Sequence, residues 1–190
     1  FVQVSRGLVD GHERIFKFGH NPVIQDTEET IWDAGGIYSY PSSAVAMTVT
    51  SDAGATDNGV QVNVAGLDAS YNEVNETVTL ASTGTATTTQ TFLRVNRCFV
   101  AGSTAPTDNI NVANGGTTYA RISNGENQTL MALWTVPAGY TAYLFALDAT
   151  SFTEQNNKVA TMRYLTREQN GVFRVKNKFD LFQASFPQNH

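Results

Sequence analysis

The sequence predicts an all-β protein, an antiparallel β-sandwich, and three observations support this. Apolar and polar residues alternate, as where Gln61 and Asn63 separate Val60, Val62 and Val64, and such alternation fits a pleated strand with one buried face. Turn-forming residues recur at intervals of roughly 8 to 15 residues, which leaves room for one strand each. No stretch has a convincing helical period. Roughly ten short strands favour a jelly roll, with an up-and-down barrel as the alternative.

Turn signals divide the chain into these strands. Gly, Asn, Asp, Pro and Ser either tolerate a positive φ or fix the φ of a turn, and they cluster at residues 41–43, 57–59, 66–68, 81–84, 105–109, 114–116, 124–125, 137–139, 156–157 and 170–171. Strands are therefore predicted at 44–50, 59–65, 73–80, 87–100, 119–122, 129–136, 142–150, 158–168 and 172–182. Residues 1–43 are rich in Gly and alternate less, which predicts an N-terminal arm or capping extension ahead of one sandwich domain, 44–190.

Composition limits the possible functions. The 190 residues are 15% charged and carry a net charge of −5, against about 25% charged residues in an average soluble protein. This argues against a nucleic-acid surface, because phosphate binding needs clustered Lys and Arg. Cys98 is the only cysteine, so no internal disulfide forms and stability must come from packing or from association with other chains. No apolar run approaches the roughly 18 residues of a membrane helix, so neither a membrane nor a nucleic-acid partner is expected.

Two of the predicted strands are apolar on both faces. In 129–136, Met131 and Leu133 lie opposite the face that contains Trp134, and 142–150 repeats this pattern. A strand of this kind is either central between two layers or covered by a partner chain. Cover by the N-terminal arm is the alternative to a partner. The predicted interface residues are Trp32, Tyr38, Tyr40, Met131, Leu133 and Trp134.

Two charges fall on faces that should point inward. Glu76 interrupts an apolar series that includes Val78, and Arg97 interrupts one that includes Val95. A buried charge is tolerable when it is paired and hydrogen-bonded. The opposite signs therefore predict a Glu76–Arg97 pair that fixes strand register or an intersubunit contact. The alternative places Glu76 on an exposed edge.

Candidates for chemistry are weak. His12 and His20 match no zinc-ligand spacing, which favours surface loop histidines. Four acidic residues in 26–33 could bind a hard cation or cleave a glycoside, but they lack the order of a calcium loop, so a solvated acidic turn is the better interpretation; they are Asp26, Glu28, Glu29 and Asp33. No nucleophile elbow, phosphate loop or Cys–His arrangement is present. We therefore expect no enzymatic activity, no cofactor and no metal.

A basic stripe lies in the last predicted strand. Arg174, Lys176 and Lys178 alternate with apolar residues, so the three cations project from one face. Such a stripe is usually a solvated face. On an acidic protein it could instead dock an acidic surface, where complementary charge sets orientation more than affinity.

Several segments also resemble those of virion structural proteins of tailed bacteriophages, many of them marine. They are GHNP at 19–22, ETIWDAGG at 29–36, VAGLDASYNE at 64–73, ETVTL at 76–80, FLRVNR at 92–97 and TLMALWTVPAGY at 129–140. The resemblance covers most of the chain and has no catalytic signature. It implies a place in the phage particle, as a head decoration, head-fibre or other accessory protein.

Both lines of reasoning predict a capsid decoration protein that cements neighbouring capsid subunits and acts as a homo-oligomer, with a trimer favoured. The alternative is a tail, fibre or baseplate module that binds a host-surface glycan through loop aromatics such as Tyr71 and Tyr119. A third class, a glycan depolymerase, would depend on the acidic residues of 26–33.

Overall fold

The computed structural model describes residues 2–151 and 159–182, and this part of the chain is mostly β-strand and irregular loop. A helix α1 (Val2–Ser5) precedes the first strand, and a 3-10 turn (Gly54–Asp57) follows it. The strands are β1 Val45–Ser51, β2 Gln61–Leu67, β3 Glu73–Thr79, β4 Thr85–Phe92, β5 Arg94–Val100, β6 Ile110–Asn114, β7 Thr117–Ile122, β8 Val159–Thr166 and β9 Arg174–Phe182. Every pairing between them is antiparallel. The all-β prediction is confirmed.

Two sheets share one buried core. One has the strand order β4-β1-β6-β7 and the other the order β3-β2-β5. Met47 and Val49 of β1 belong to the same buried cluster as Val62 and Val64 of β2, and none of these four side chains is exposed. These sheets contain seven strands, whereas a jelly roll has eight in two Greek keys. The described strands therefore agree with a sandwich without establishing a jelly roll.

The prediction of one long strand at 87–100 is wrong. The chain leaves β4 after Phe92 and enters β5 at Arg94, and these two strands lie in different sheets. Leu93 is the connection. Alternation is interrupted here, because Phe92 and Leu93 are both apolar, and this interruption is the sequence signal of the change of sheet.

Strand β6 is missing from the predicted strands. Two of its five residues are Asn, a residue depleted in strands, yet both amides are used. The amide of Asn111 donates to Asp52 Oδ1 at 2.8 Å, and that of Asn114 donates to the carbonyl oxygen of Ala46 at 2.9 Å. The hairpin into β7 then turns through Gly115 and Gly116, whose φ of 56° and 82° suit the type I′ turns of tight hairpins.

The predicted strands at 129–136 and 142–150 are also wrong. Met131 forms only one isolated bridge, and 142–151 has no regular secondary structure. In 129–136 some backbone groups bond to side chains instead of a strand, as where the Leu130 N–H donates to Asp33 Oδ2 at 3.3 Å. An apolar run without a neighbouring strand cannot extend a ladder.

Contacts divide the chain into two compact units after Thr141. The first unit contains β1–β7 together with the segment predicted as a separate arm. The second contains the hairpin β8–β9. The division therefore falls elsewhere than the predicted boundary between residues 43 and 44.

Candidate functional site

Trp32, Tyr38 and Tyr40 form an aromatic cluster at the core. Trp32 and Tyr38 are 5% and 7% exposed, and their rings meet edge to face with centroids 5.0 Å apart. The ring of Tyr40 packs on Tyr38 at 4.8 Å, and the Tyr38 hydroxyl donates to the carbonyl oxygen of Tyr119 at 3.0 Å. Trp32 and Tyr38 are thus buried within the chain, because the N-terminal segment folds onto the sheets.

The remaining predicted interface residues also lie at this core. Met131 is 2% exposed and pairs with Trp32 in an isolated bridge. Leu133 packs against the same buried cluster, and both Leu133 and Trp134 are half-buried. For Met131 the cover comes from the N-terminal segment, which is the alternative that the sequence left open.

Two of the aromatic residues expected in loops stack on a buried cation. The guanidinium carbon of Arg94 lies 5.2 Å from the ring centroid of Tyr40 and 5.5 Å from that of Tyr71. Its Nη1 donates to the carbonyl oxygen of Pro41 at 3.1 Å, and its Nη2 donates to the Tyr71 hydroxyl at 3.2 Å. Cation–π contacts of this kind stabilise a desolvated Arg. These aromatics therefore support a structural cation.

The segment from Phe16 to Asn21 has an inverted pattern of burial. Lys17, Gly19 and Asn21 are half-buried, whereas Phe16 and Phe18 are 77% and 56% exposed. In a folded monomer the aromatic side chains of such a period-two segment normally point inward. We name residues 16–19 the inverted segment. Its outer face is apolar.

Specific contacts hold the inverted segment in this orientation. The amine of Lys17 donates to the carbonyl oxygen of Asn96, and burial lowers the pKa of this amine from 10.5 to about 8. A Cβ on Gly19 would lie 2.5 Å from the backbone nitrogen of Ala132, so only glycine fits there. The His20 N–H donates to the carbonyl oxygen of Leu130 at 3.1 Å. These contacts therefore keep Phe16 and Phe18 pointing outward.

More apolar side chains are exposed around both units. In the first unit the exposed residues near the N-terminus are Val2, Leu8, Ile15, Val23 and Ile24, each at least 44% exposed. In the second unit Tyr143 and Phe145 are 76% and 75% exposed, and Leu144 is 57% exposed. Single exposed apolar residues are ordinary, but groups of them mark interaction surfaces.

Glu76 and Arg97 do not pair within the chain. Glu76 lies in register with Val64 and Cys98, on the inward face of the edge strand β3. Arg97 lies on the other face, because a bulge opposite Ala65 and Gly66 shifts the alternation of β5. Arg97 Nη2 instead donates to Gln128 Oε1 at 2.8 Å. The bulge is the reason why a strict period of two misplaces Arg97.

The carboxylate of Glu76 binds a bulge in the other sheet. It accepts from the N–H groups of Thr89 at 2.9 Å and Gln90 at 2.7 Å, and from the Thr89 hydroxyl at 3.1 Å. Although partial burial opposes ionisation, these donors hold the pKa of Glu76 below its usual range. Glu76 thus joins the edges of the two sheets.

We expect Glu76→Gln to lower stability by about 1–2 kcal/mol, because hydrogen bonds to a charged acceptor are the stronger ones. The Glu76 contribution is fully present above the unfolded-state pKa of about 4.3 and is lost as the pH falls through the lower folded-state value. Thermal melts from pH 3 to 7 measure it, with Glu73→Gln, exposed in the same strand, as the control. Equal melting temperatures for both variants at pH 7 would contradict the role of Glu76.

The predicted acidic residues are not one cluster of free carboxylates. Asp33 is buried, with its Oδ1 3.3 Å from Nδ1 of the half-exposed His20. Burial raises the pKa of Asp33, although His20 and the Leu130 N–H act against this. Glu29 accepts from the Asn21 amide at 2.8 Å. Asp26 and Glu28 are exposed and also have interaction partners.

Within residues 2–151 and 159–182, no group of three or more His, Cys, Asp or Glu side chains is placed to hold a metal ion. The thiol of Cys98 is fully buried, and burial raises its pKa to about 12. A thiol in this state is a poor nucleophile.

A bulge at Lys176 interrupts the predicted basic stripe, so Arg174 and Lys178 lie on opposite faces of the hairpin β8–β9. Lys178 is directly opposite Arg163, and like charges facing each other across a strand pair are destabilising. Lys176, Lys178 and Arg174 are exposed, and Arg174 Nη1 lies 3.5 Å from Glu168 Oε1. Six of the twelve Lys and Arg residues but only four of the seventeen Asp and Glu residues follow Thr141. The second unit is therefore basic on an acidic protein.

No helix in the described ranges has the length and apolar character needed to cross a membrane. No protein-family model, curated protein or solved structure matches the chain.

Proposed function

We propose that this chain is a structural protein of a tailed-phage particle. In this proposal it decorates the capsid, binds neighbouring capsid subunits and acts as a homotrimer. The observation that carries the proposal is the inverted segment, which turns Phe16 and Phe18 outward while anchoring Lys17 inward. The sequence resemblance to virion structural proteins is the reason why a phage particle is proposed as the partner.

The exposed apolar surface is on the scale of a protein interface. A buried aromatic side chain removes about 150–250 Å² from water, and a standard interface buries about 800 Å² on each partner. Phe16 and Phe18 together with the five other exposed apolar residues of the N-terminal region reach this scale. A partner surface would remove them from water at a gain of about 25 cal/mol per Å².

Cementing would follow from mass action. A protein that binds the closed shell and not its separated subunits stabilises the closed shell, and the stabilisation per site grows with the logarithm of its free concentration relative to Kd. The net positive charge of the second unit would orient the protein on an acidic neighbour without adding much affinity. No catalytic step is part of this function.

Two measurements test the proposal. Densitometry of purified particles should find many tens to hundreds of copies per particle, whereas a few copies would indicate the alternative tail, fibre or baseplate module.

The double variant Phe16→Ser and Phe18→Ser should remain folded, because both side chains are exposed, but it should lose trimer formation in analytical ultracentrifugation and capsid binding in co-sedimentation. Val172→Ser, at a residue 72% exposed in the second unit, is the matched control. A monomeric wild-type protein without affinity for capsids would refute the proposal.

A further inference from the structure

A cleft of about 380 Å³ lies in the first unit, between residues 32–39 and the β6–β7 hairpin. This volume is within the range of about 300–1,000 Å³ that is usual for small-molecule sites. Most of its accessible wall is polar, and Arg121 is the charged residue that lines it. None of the functions considered above uses this cleft.

Arg121 has unused hydrogen-bonding capacity. Its Nε is the one buried side-chain nitrogen or oxygen in the described part of the chain that has no hydrogen-bond partner. Its Nη2 lies 3.7 Å from Asp52 Oδ2, which is too long for a hydrogen bond. An Arg carries five N–H donors in a planar fork, and a buried donor without an acceptor is costly. Unsatisfied groups of this kind call for an explanation.

Asp52 does not satisfy Arg121, because its carboxylate is already engaged by two amides. Asn109 Nδ2 donates to its Oδ2 at 3.1 Å, and Asn111 Nδ2 donates to its Oδ1 at 2.8 Å. The carboxylate of Asp52 thus orients the guanidinium of Arg121 without accepting a hydrogen bond from it. Nε itself is buried, but the side chain of Arg121 as a whole is 31% exposed, so an acceptor in the cleft would bind the terminal nitrogens of the guanidinium.

The other walls define the rest of the ligand. Ser39 and Thr118 can bring hydroxyl groups, which donate and accept hydrogen bonds, and Thr118 lies on the same face of β7 as Arg121. Ile37 is 61% exposed at the same cleft and gives an apolar contact. Hydroxyls around an apolar spot fit a sugar ring, which has polar edges and C–H faces. The guanidinium fits a carboxylate, which it can bind with two parallel hydrogen bonds.

We propose that the cleft binds a sugar residue that carries a carboxylate, such as a uronic acid, with Arg121 donating to the carboxylate and Ile37 packing on the ring. This goes beyond the proposed decoration function and does not depend on it. Particle binding by the inverted segment can fail while the cleft binds its ligand, and the reverse also holds.

The experiment is a titration of the ¹⁵N-labelled protein with glucuronic acid, glucose and acetate, followed by amide chemical shifts. Saturable shifts are expected for Asn111, Thr117 and Thr118 with glucuronic acid, at an affinity at least tenfold higher than for glucose or acetate. Arg121→Gln should weaken glucuronic acid binding at least tenfold. Arg97→Gln removes the same charge from an exposed side chain elsewhere on the sheets and should leave the binding unchanged.

Three outcomes would overturn the proposal. They are an absence of saturable shifts up to roughly 100 mM sugar, which is far above ordinary weak binding; equal binding of glucose; or equal binding of acetate, which would mean a simple anion only. If Arg121→Gln does not fold, Ile37→Glu replaces it. This variant removes the apolar contact and places a carboxylate at the exposed edge of the cleft. It should weaken glucuronic acid binding at least tenfold, and more than it weakens glucose binding, because the added charge repels only the acid.

Discussion

Gly66→Ala is expected to destabilise the first unit by about 3 kcal/mol or more, because overpacking against a rigid backbone cannot be relieved by side-chain motion. Gly66 lies in β2, the central strand of its sheet, beside the bulge in β5. A Cβ there would lie 1.9 Å from the carbonyl oxygen of Arg94 and 3.1 Å from the ring of Phe92. Either β2 or β5 must move, and both line the core.

Thermal and chemical denaturation measure this effect. For a chain of this length about 1 kcal/mol corresponds to a shift of about 2–4 °C in Tm, so a fall of about 6–12 °C or a loss of soluble protein is expected. Gly102→Ala is the control, because its nearest neighbour would be the flexible side chain of Gln61 at 3.4 Å. A Tm within about 2 °C of wild type for Gly66→Ala would show that the close approach of β2 and β5 is not needed.

Asp57→Ala is expected to cost about 3 kcal/mol, since it leaves several donors without an acceptor. Asp57 is 1% exposed at the end of the 3-10 turn. Its Oδ1 accepts from the Thr107 N–H at 2.9 Å and from the Thr107 hydroxyl at 2.6 Å, and its Oδ2 accepts from the Ser51 hydroxyl. The carboxylate thus ties the end of β1 to the loop before β6.

The pH dependence separates this role from simple loss of volume. Burial raises the pKa of Asp57, but the donors of Ser51 and Thr107 outweigh it, so the folded-state pKa is below the usual value. Its stabilisation is therefore present above the unfolded-state pKa of about 3.9 and disappears as the pH falls below it. The difference in stability between Asp57→Ala and wild type should therefore narrow as the pH falls below about 3.9.

Asp68→Ala is the matched control for Asp57→Ala. Asp68 also accepts three hydrogen bonds, from the N–H groups of Ser70 and Asn72 and from the Asn72 amide, but it does so at the surface. Water can replace its carboxylate, so a much smaller fall in Tm is expected. Equal falls for the two variants would contradict the importance of burial at Asp57.

The sequence predicts the sheets wherever alternation and turn chemistry agree. The strands β1, β2 and β3 lie within two residues of their predicted bounds, because apolar and polar residues alternate in each and turn signals lie beside them. Alternation fails at bulges, where an extra residue exchanges the two faces. For this reason a strict period of two places Arg97 on the wrong face. The burial of Arg94, which is 9% exposed, has another cause, because Tyr40 and Tyr71 cover it from distant parts of the chain.

The candidate surfaces are less predictable than the strands. A period of two in residues 16–19 shows that Phe16 and Phe18 share a face, but it cannot say which face is buried. That choice depends on Asn96 and Ala132, which are more than seventy residues away in the chain. The cleft at Arg121 likewise combines β6 and β7 with the N-terminal segment. The spacing of residues within one segment cannot predict contacts between segments that are far apart in the chain.

The buried amine of Lys17 makes the packing of the inverted segment depend on pH. In solvent this amine holds its proton up to a pKa of 10.5, whereas in its site beside Asn96 it releases the proton at about pH 8. Between pH 8 and pH 10.5, packing of the inverted segment against the sandwich therefore releases one proton to solvent. A rise in pH within this range favours the packed form. Phe16 and Phe18 are therefore held outward more firmly as the pH rises from about 8 towards 10.5.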